Sequence, residues 1–523
     1  MKSTQCTLMA AALLLVAGCD SATHPDDTAI QVSTEHGTPV TLTTTQLADI
    51  TTGGAVTAFA TPAHGTVTWG PDGALIYRPD DGFTGTDELK VTTAPGVALY
   101  STAIPPLATA GGVAIQASAY GSALAAVPGR PGEFYGLTDR GPNADGVDKN
   151  QKVEPIPDFT PEIGLFHLDA GQARLDRVIK LTGADGAPLN GLVNRAANTG
   201  ETIVDLDGHV LPTSDHGLDP EGLVALRDGS FWVSDEYGPF LVHFNHDGRE
   251  LERITTSTGL PAELRLRTPN QGMEGLTITP DGSTLVGIIQ SALATPDLDG
   301  SAKKVPLTRI VTVNLATKAV KEFLYLLDDP EKTSKAVSEI TALSATEFLV
   351  DERDGKLAPD ANKVIYRIDT AAATDVGPQS TVPGATYDGA AGGLQIGGKA
   401  IETYIGVTNP AAAQAKLTKA AITPVTKKVA LDLSALLRRL NPKGEFFGHD
   451  KIEGVATTDG GKTLYIANDS DFGLDGLGNK TPPLTLKAKI LPDGRQDTTE
   501  ILRVDTTKTS DPTTQHTIKI TVS

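Results

Sequence analysis

Four short phrases in the chain set a glutamate beside a small or aliphatic residue. They read Asp219-Pro220-Glu221-Gly222-Leu223, Met273-Glu274-Gly275-Leu276, Ser338-Glu339-Ile340-Thr341 and Lys451-Ile452-Glu453-Gly454-Val455. After a turn, each is followed by an apolar run with acids or an amide near its end: Phe231 to Glu236, Leu285 to Gln290, Phe348 to Arg353 and Leu464 to Asp469. Carboxylates that converge within a few ångströms cannot all stay ionised unless a cation neutralises them. Oxygen-only sites of this kind suit Ca2+ or Mg2+. Glu221, Glu274, Glu339 and Glu453 are the expected metal ligands, with the strand-end acids Asp235 and Asp351 adding to the shell. Asp139, Glu236, Glu352, Asp469 and Asp471 stand at similar places. The competing reading gives each acid a local role, capping a turn or accepting backbone N–H groups within its own repeat. Spacing alone ranks the two equally.

A second constellation is Asp139-Arg140-Gly141-Pro142-Asn143, which leaves a strand and enters a loop with Asp145, Asp148, Lys149 and Lys152. An arginine beside acids on a loop can grip a phosphate or carboxylate bidentately. A β-turn with an internal salt bridge is the plainer alternative. Lys303, Lys304, Arg353, Lys356, His449 and Lys451 are further sources of positive charge, each also readable as a solvated side chain. Several other chemistries find no footing. There is no Gly-x-Ser-x-Gly elbow and no His-Glu-x-x-His zinc motif. Gly461-Lys462-Thr463 matches the end of a phosphate-binding loop, but Ala456 stands where that loop needs glycine. Asp469 to Asp475 alternates oxygen-bearing side chains like a calcium loop but departs from the EF-hand pattern.

Residues this far apart need a scaffold that brings them together. A phrase of strands and hairpin turns recurring at roughly 50 to 65 residues is the signature of a β-propeller, whose innermost strands surround one axis. Two weaker copies extend the series. One is Gly121-Ser122-Ala123-Leu124 followed by Phe134 to Arg140, and the other is Ala391-Gly392-Gly393-Leu394 followed by Glu402 to Asn409. That makes about six blades, with roughly five to seven compatible with the spacing. The strands Glu500 to Val504 and His516 to Val522 are expected to close the ring against the first blade. One amphipathic helix is predicted over 431–440, capped by Asp432.

The expected fold is all-β: a propeller over 112–523, preceded by a small Ig-like sandwich over 29–95 and a linker over 96–111. The stretch from Ile30 to Thr93 alternates with period two between Pro-Asp-Gly and Asp-Gly turns. Its phrase Tyr77-Arg78-Pro79-Asp80-Asp81-Gly82-Phe83-Thr84-Gly85-Thr86-Asp87 resembles the end of bacterial Ig-like, cadherin-like modules, which implies a stalk or spacer.

Residues 1–18 read as an export signal, with Lys2 before an apolar core from Leu8 to Ala17. Val16-Ala17-Gly18-Cys19 resembles a bacterial lipobox. The resemblance implies that Cys19 becomes lipidated, that 19–28 is a tether, and that acyl chains hold the protein to a membrane of the bacterial cell envelope, on its periplasmic or surface side. Cys6 and Cys19 are the two cysteines, so thiol catalysis and cysteine-based zinc sites are excluded. A net charge of -20 argues against a nucleic-acid partner, whose phosphates need a basic stripe.

Taken in order, Asp139 to Asn143, Asp219 to Leu223, Val233 to Pro239, Asn270 to Leu276 and Lys451 to Val455 resemble the bacterial phytase-like propeller family, described as having the esterase-like activity of phytase. The resemblance covers roughly 112 to 507. It implies a metal-dependent hydrolase of phosphate esters, with Ca2+ held by the repeated glutamates. Glu221, Glu274, Asp139 and Arg140 would carry the chemistry, Arg140 orienting a small-molecule phosphate ester. Two other readings stay open: a non-catalytic envelope scaffold that binds its partner through the same channel face, and a lactonase or carboxylesterase in which the metal polarises a carbonyl.

Overall fold

The computed structural model describes residues 30–51, 54–70, 73–197 and 199–523; the expected signal, the tether and Cys19 lie outside the described residues. Among them, no helix is long and apolar enough to cross a membrane. The propeller reading holds, and among the described residues the ring has five four-stranded blades, within the expected five to seven. The first is Ala123–Ala126, Glu133–Leu137, Glu162–Asp169 and Gln172–Lys180. The second is Pro220–Ala225, Phe231–Asp235, Phe240–Phe244 and Glu250–Ile254. The third is Met273–Ile278, Thr284–Ile289, Leu307–Asn314 and Val320–Leu326. The fourth is Ala336–Ala342, Glu347–Arg353, Lys363–Asp369 and Thr426–Asp432. The fifth takes Ile452–Ala456, Thr463–Asn468 and Glu500–Asp505 from the end of the chain and Val97–Ser101 from its beginning.

Each blade is buried on both faces, which is why its second strand reads as an unbroken apolar run rather than an alternating one. Separate apolar cores fill the gaps between neighbours. Leu223 and Val233 meet Ala123 and Ile163, Trp232 and Leu241 meet Leu276 and Leu285, and Ile288 meets Ile340 and Phe348. Leu349 and Ile365 then meet Val455 and Leu464, and Ala456 and Ile501 meet Leu124 and Phe166, completing the circle. The inner strands approach so closely that the glycine after the marker acid is required. A Cβ on Gly222 would lie 2.6 Å from the Leu276 nitrogen, and one on Gly275 2.5 Å from the Ile340 nitrogen.

The sixth unit expected at 391–409 is an excursion from the fourth blade. It folds as a small sheet, Ala385–Asp388, Gly393–Ile396 and Lys399–Ala400, followed by helices Ile401–Ile405 and Pro410–Lys419. Ile401 and Ile405, then Ala413 and Leu417, are spaced four apart and pack on Leu307 and Leu324 of the third blade. Helical periodicity therefore overrides the β-like composition of Glu402 to Asn409. The predicted helix at 431–440 is present as Leu433–Leu440, with the Asp432 carboxylate accepting the Ala435 N–H at 2.8 Å.

The Ig-like sandwich packs Val40–Leu42, Leu75–Pro79 and Gly65–Trp69 against a second sheet ordered Ile30–Thr34, Thr514–Val522, Gly85–Thr93, Val56–Phe59. One placement is unexpected: the last strand, Thr514–Val522, belongs to the sandwich, where Ile518, Ile520 and Val522 join Leu42, Leu75, Tyr77 and Leu89 in one core. Two expectations are corrected. The propeller does not extend to 523, and residues 97–101 of the expected linker are a blade strand.

Candidate metal centre and its cleft

The inner strands do not pair evenly. Register slips between Pro220 and Gly222, between Met273 and Gly275, and between Ile452 and Gly454. Glu221, Glu274 and Glu453 are thus the extra residues of three bulges, and a bulge frees its residue from the ladder and re-aims the side chain. In the fourth blade the slip falls between Val337 and Glu339, so the extra residue there is Ser338. In the first blade Ala123 pairs with Leu137 as Gly222 pairs with Ser234, which makes Ser122 the matching residue. The axial ring is therefore Ser122, Glu221, Glu274, Ser338 and Glu453.

Glu339 falls one place out, at the glycine position. Its Oε1 accepts the Ile340 N–H at 2.8 Å, and the N–H groups of Leu276 and Val455 also draw on it against a strong upward push from burial. It ties inner strands together by their backbones and does not join the other glutamates. Asp235 is pinned in the same manner, accepting Asp219 N–H at 2.8 Å and Gly238 N–H at 2.6 Å. Asp351 pairs in register with Glu339, and neither of its oxygens has a hydrogen-bond partner. Burial pushes it up to about 7 against the pull of Lys363 and Arg353. Glu339 and Asp235 are corrected to structural acids held by backbone N–H groups, and Asp351, buried beside Glu339, stands outside the group of converging carboxylates.

What does converge is Asp139, Asp219 and Glu221. One carboxylate oxygen from each lies within 4.8 Å of the others, and all three residues are buried. Asp139 leaves the second strand of the first blade; Asp219 and Glu221 open the inner strand of the next. Asp139 Oδ1 accepts the Gly141 N–H at 2.8 Å, and Asp219 Oδ1 accepts the Arg140 N–H at 3.2 Å. Glu221 is 9% exposed and makes no hydrogen bond or ion pair with the described residues. Burial drives Asp139 and Glu221 well above the carboxylate range, reinforced by Asp469 and Asp219 for the first and by Glu274, Asp219 and Glu453 for the second. The donor set is all oxygen, like-charged, desolvated and left with an unpartnered carboxylate. Such a set fits a hard divalent cation.

The remaining ring glutamates already have partners. Glu274 accepts from Gln290, and Glu453 from Arg353, whose Nε also donates to Ser338 at 2.9 Å. Arg140 is likewise spoken for. Its side chain is 3% exposed, lies 2.9 Å from Asp219 and 3.5 Å from Glu201, donates to Tyr237 at 3.0 Å and to Asn270, and stacks over the Tyr237 ring at 5.1 Å. The expectation that Arg140 grips a substrate is corrected: it holds Asp219 in position from behind. Around it, burial pushes Glu154 and Glu236 up to about 8.

Glu201 and Asn270, both partners of Arg140, also line a cleft of about 730 Å3, together with five further acids, Asp145, Asp148, Asp450, Asp471 and Asp475, and five lysines, Lys149, Lys152, Lys303, Lys451 and Lys489. Lys451 lies 3.2 Å from Asp469 and 2.5 Å from Asp471, and Lys489 lies 3.0 Å from Asp450. Asp471 and Phe472 hold left-handed φ values of 48° and 54°, a strained corner of the sort that clusters at functional sites. Burial and Asp471 raise Asp469 to about 7, while Lys451 and Lys489 hold Asp471 far below the usual range. Lys303 and Lys451, named from sequence, line this cleft. His449 is buried elsewhere, between Asp497 at 2.9 Å and Glu500 at 3.2 Å. Sequence reasoning passed over Asp219, although it lies two residues before Glu221 in the quoted phrase. Glu154, Glu201 and Lys489 carried no motif.

Residues 119–472 match the family described as phytase-like, esterase-like activity of phytase. The chain belongs to the phytase-like family. Residues 20–104 match the bacterial Ig domain family. An uncharacterized secreted protein of Arthroderma benhamiae is 30% identical to this phytase-like chain over 251 residues, which is 38% of this chain and 48% of that one. The chain thus matches about half the length of that curated relative. Among solved structures, the periplasmic gluconolactonase of Pseudomonas aeruginosa is 10% identical with a TM-score of 0.29, covering 86% of this chain and 96% of that one. A Lactobacillus plantarum protein is 12% identical with a TM-score of 0.28, covering 74% and 84%. Neither score carries an argument about chemistry.

Proposed function

We propose that this phytase-like propeller is an exported, metal-dependent hydrolase of phosphate esters that works at the axial cleft. The observation that carries the reading is an unpartnered Glu221 beside Asp139 and Asp219, near a cleft that mixes five lysines with six acids. Lys149 and Lys303, which make no ion pair among the described residues, are the cations of that cleft left to meet an anionic ligand. Asp139, Asp219 and Glu221 would hold Ca2+ or a similar cation, which supplies charge for a phosphoryl oxygen and lowers the pKa of water. Lys149 and Lys303 would neutralise the ester's charge and orient it, while Lys451 stays paired with Asp469 and Asp471. Gln290 and Arg353, by fixing Glu274 and Glu453, keep those carboxylates from competing for the cation. Arg140 orients Asp219. The A. benhamiae relative is named a secreted protein, which supports export. Lipid attachment at Cys19, and with it a place on the membrane of the cell envelope, rests on the Val16-Ala17-Gly18-Cys19 phrase.

The test is turnover by the purified protein on phosphomonoesters, phosphodiesters and lactones, with calcium and with chelator. The reading expects phosphate release that chelation abolishes. Lactone turnover without phosphate release would replace it with carbonyl chemistry. No turnover on any substrate would leave a binding propeller.

A further inference from the structure

One antiparallel ribbon closes both the sandwich and the ring. Gly85–Thr93 pairs with Thr514–Val522, from Gly85 opposite Val522 to Thr93 opposite Thr514. The same two segments then pair again in the fifth blade, from Val97 opposite Val504 to Ser101 opposite Glu500. The joint between the halves is tight. The Asp505 N–H donates to the Gly96 carbonyl at 2.8 Å, and Gly96, at φ +73°, leaves room for no Cβ, which would sit 2.8 Å from Asp505 Cβ. Ala55 donates to the Val97 carbonyl at 3.1 Å, and Asn441 donates to the Thr57 carbonyl at 2.9 Å in a buried setting. Ala94 and Val97 share one core with Leu440, Phe446 and Val504.

The ribbon lies at the seam where the chain's last blade meets its first. Ser101 pairs with Gln172, takes the Gly171 carbonyl at 3.1 Å and donates its hydroxyl to Glu500 at 3.0 Å. Asp139, one of the three candidate ligands, leaves the first blade, while Asp219 and Glu221 belong to the second.

We propose that the Ig-like module is a clasp for the propeller: the Thr514–Val522 strand, by completing the sandwich, locks the seam between the fifth blade and the first. The module is thereby a working part of the ring and not a free spacer, whatever reaction the cleft performs. Cooperative units of this kind open together, so their amides exchange together.

Hydrogen exchange on the full chain tests it. Ile520→Ala thins the sandwich core without touching the propeller. The clasp predicts that 85–93 and 514–522 lose protection together with 97–101 and 500–505, by about tenfold or more, while 273–289 in the third blade stays at the wild-type rate. Loss confined to the sandwich, with 97–101 and 500–505 unchanged, overturns the proposal. Should Ile520→Ala unfold the chain, the decision passes to Thr92→Cys with Gln515→Cys, which crosslinks directly opposed residues of the ribbon. Oxidation then slows exchange at 97–101 and 500–505 relative to the reduced form; equal rates overturn the clasp.

Discussion

Replacing Arg140 with methionine removes a guanidinium that sits 2.9 Å from Asp219, 3.5 Å from Glu201 and 3.9 Å from Glu236, all nearly solvent-free. At an effective dielectric of about 20, each contact is worth roughly 4–6 kcal/mol of gross attraction. Desolvation of the arginine offsets most of that sum, and breaking a buried pair from one side costs about 3–5 kcal/mol net. Methionine preserves the volume, so the loss is electrostatic rather than a cavity effect. Its pH dependence has a definite sign. Glu154 and Glu236 already stand near 8, and losing Arg140 pushes them higher still. A carboxyl whose folded pKa rises above its unfolded one destabilises the fold only as pH climbs, by about 1.4 kcal/mol per unit of rise once both values are passed. Urea denaturation of Arg140→Met should therefore show a loss of about 3–5 kcal/mol at pH 8.5 and a distinctly smaller loss at pH 6. Millimolar calcium should recover part of it by repairing the neighbouring carboxylate group. A loss below about 1 kcal/mol, or one larger at pH 6, would refute the view of Arg140 as the counter-charge that holds the floor together.

The wild-type protein should itself lose stability as pH rises from about 4.5 to about 9, the span between the ordinary and the raised values of its buried groups. Asp351 and Asp469 titrate near 7, Glu154 and Glu236 near 8 and His449 near 9, and each favours the folded state only while protonated. Thermal melts across that range, repeated with calcium, should show the fall and its partial suppression; a flat profile would contradict the burial argument. Calcium binding near pH 7 should expel protons from Asp139 and Glu221, both held well above the usual range. Titration heats would then vary with the ionisation enthalpy of the buffer, and identical heats in every buffer would count against the site. Glu221→Gln should abolish this binding whereas Glu339→Gln leaves it intact; equal losses would put Glu339 back among the ligands. Gly275→Val should cost about 1–3 kcal/mol or more, since its Cβ meets the Ile340 nitrogen at 2.5 Å and backbone cannot yield cheaply.

The blades were legible because their repeat combines an apolar run, a turn and an acid, and all of these are local features. What the chain could not show is decided by pairing. Aligning the acids makes Glu339 the partner of Glu221, yet the bulge of the fourth blade frees Ser338 and shifts Glu339 by one place. A single-residue slip turns a strand's side chains to the opposite face, so composition alone could not reveal it. Arg140 read as a substrate ligand because its jailers, Tyr237 and Asn270, are 97 and 130 residues away. The alternation Ile518, Ile520, Val522 marked a strand correctly, but only topology assigns it to the sandwich. Helices at 401–405 and 410–419 were hidden by short apolar spacings that suit strand and helix alike.

A crystal structure of the protein grown with calcium tests the central claim most directly. The account predicts one ion between Asp139, Asp219 and Glu221, with carboxylate oxygens at about 2.3–2.6 Å. An ion bound instead at Glu274, Glu339 and Glu453, or a floor without an ion at saturating calcium, would contradict it.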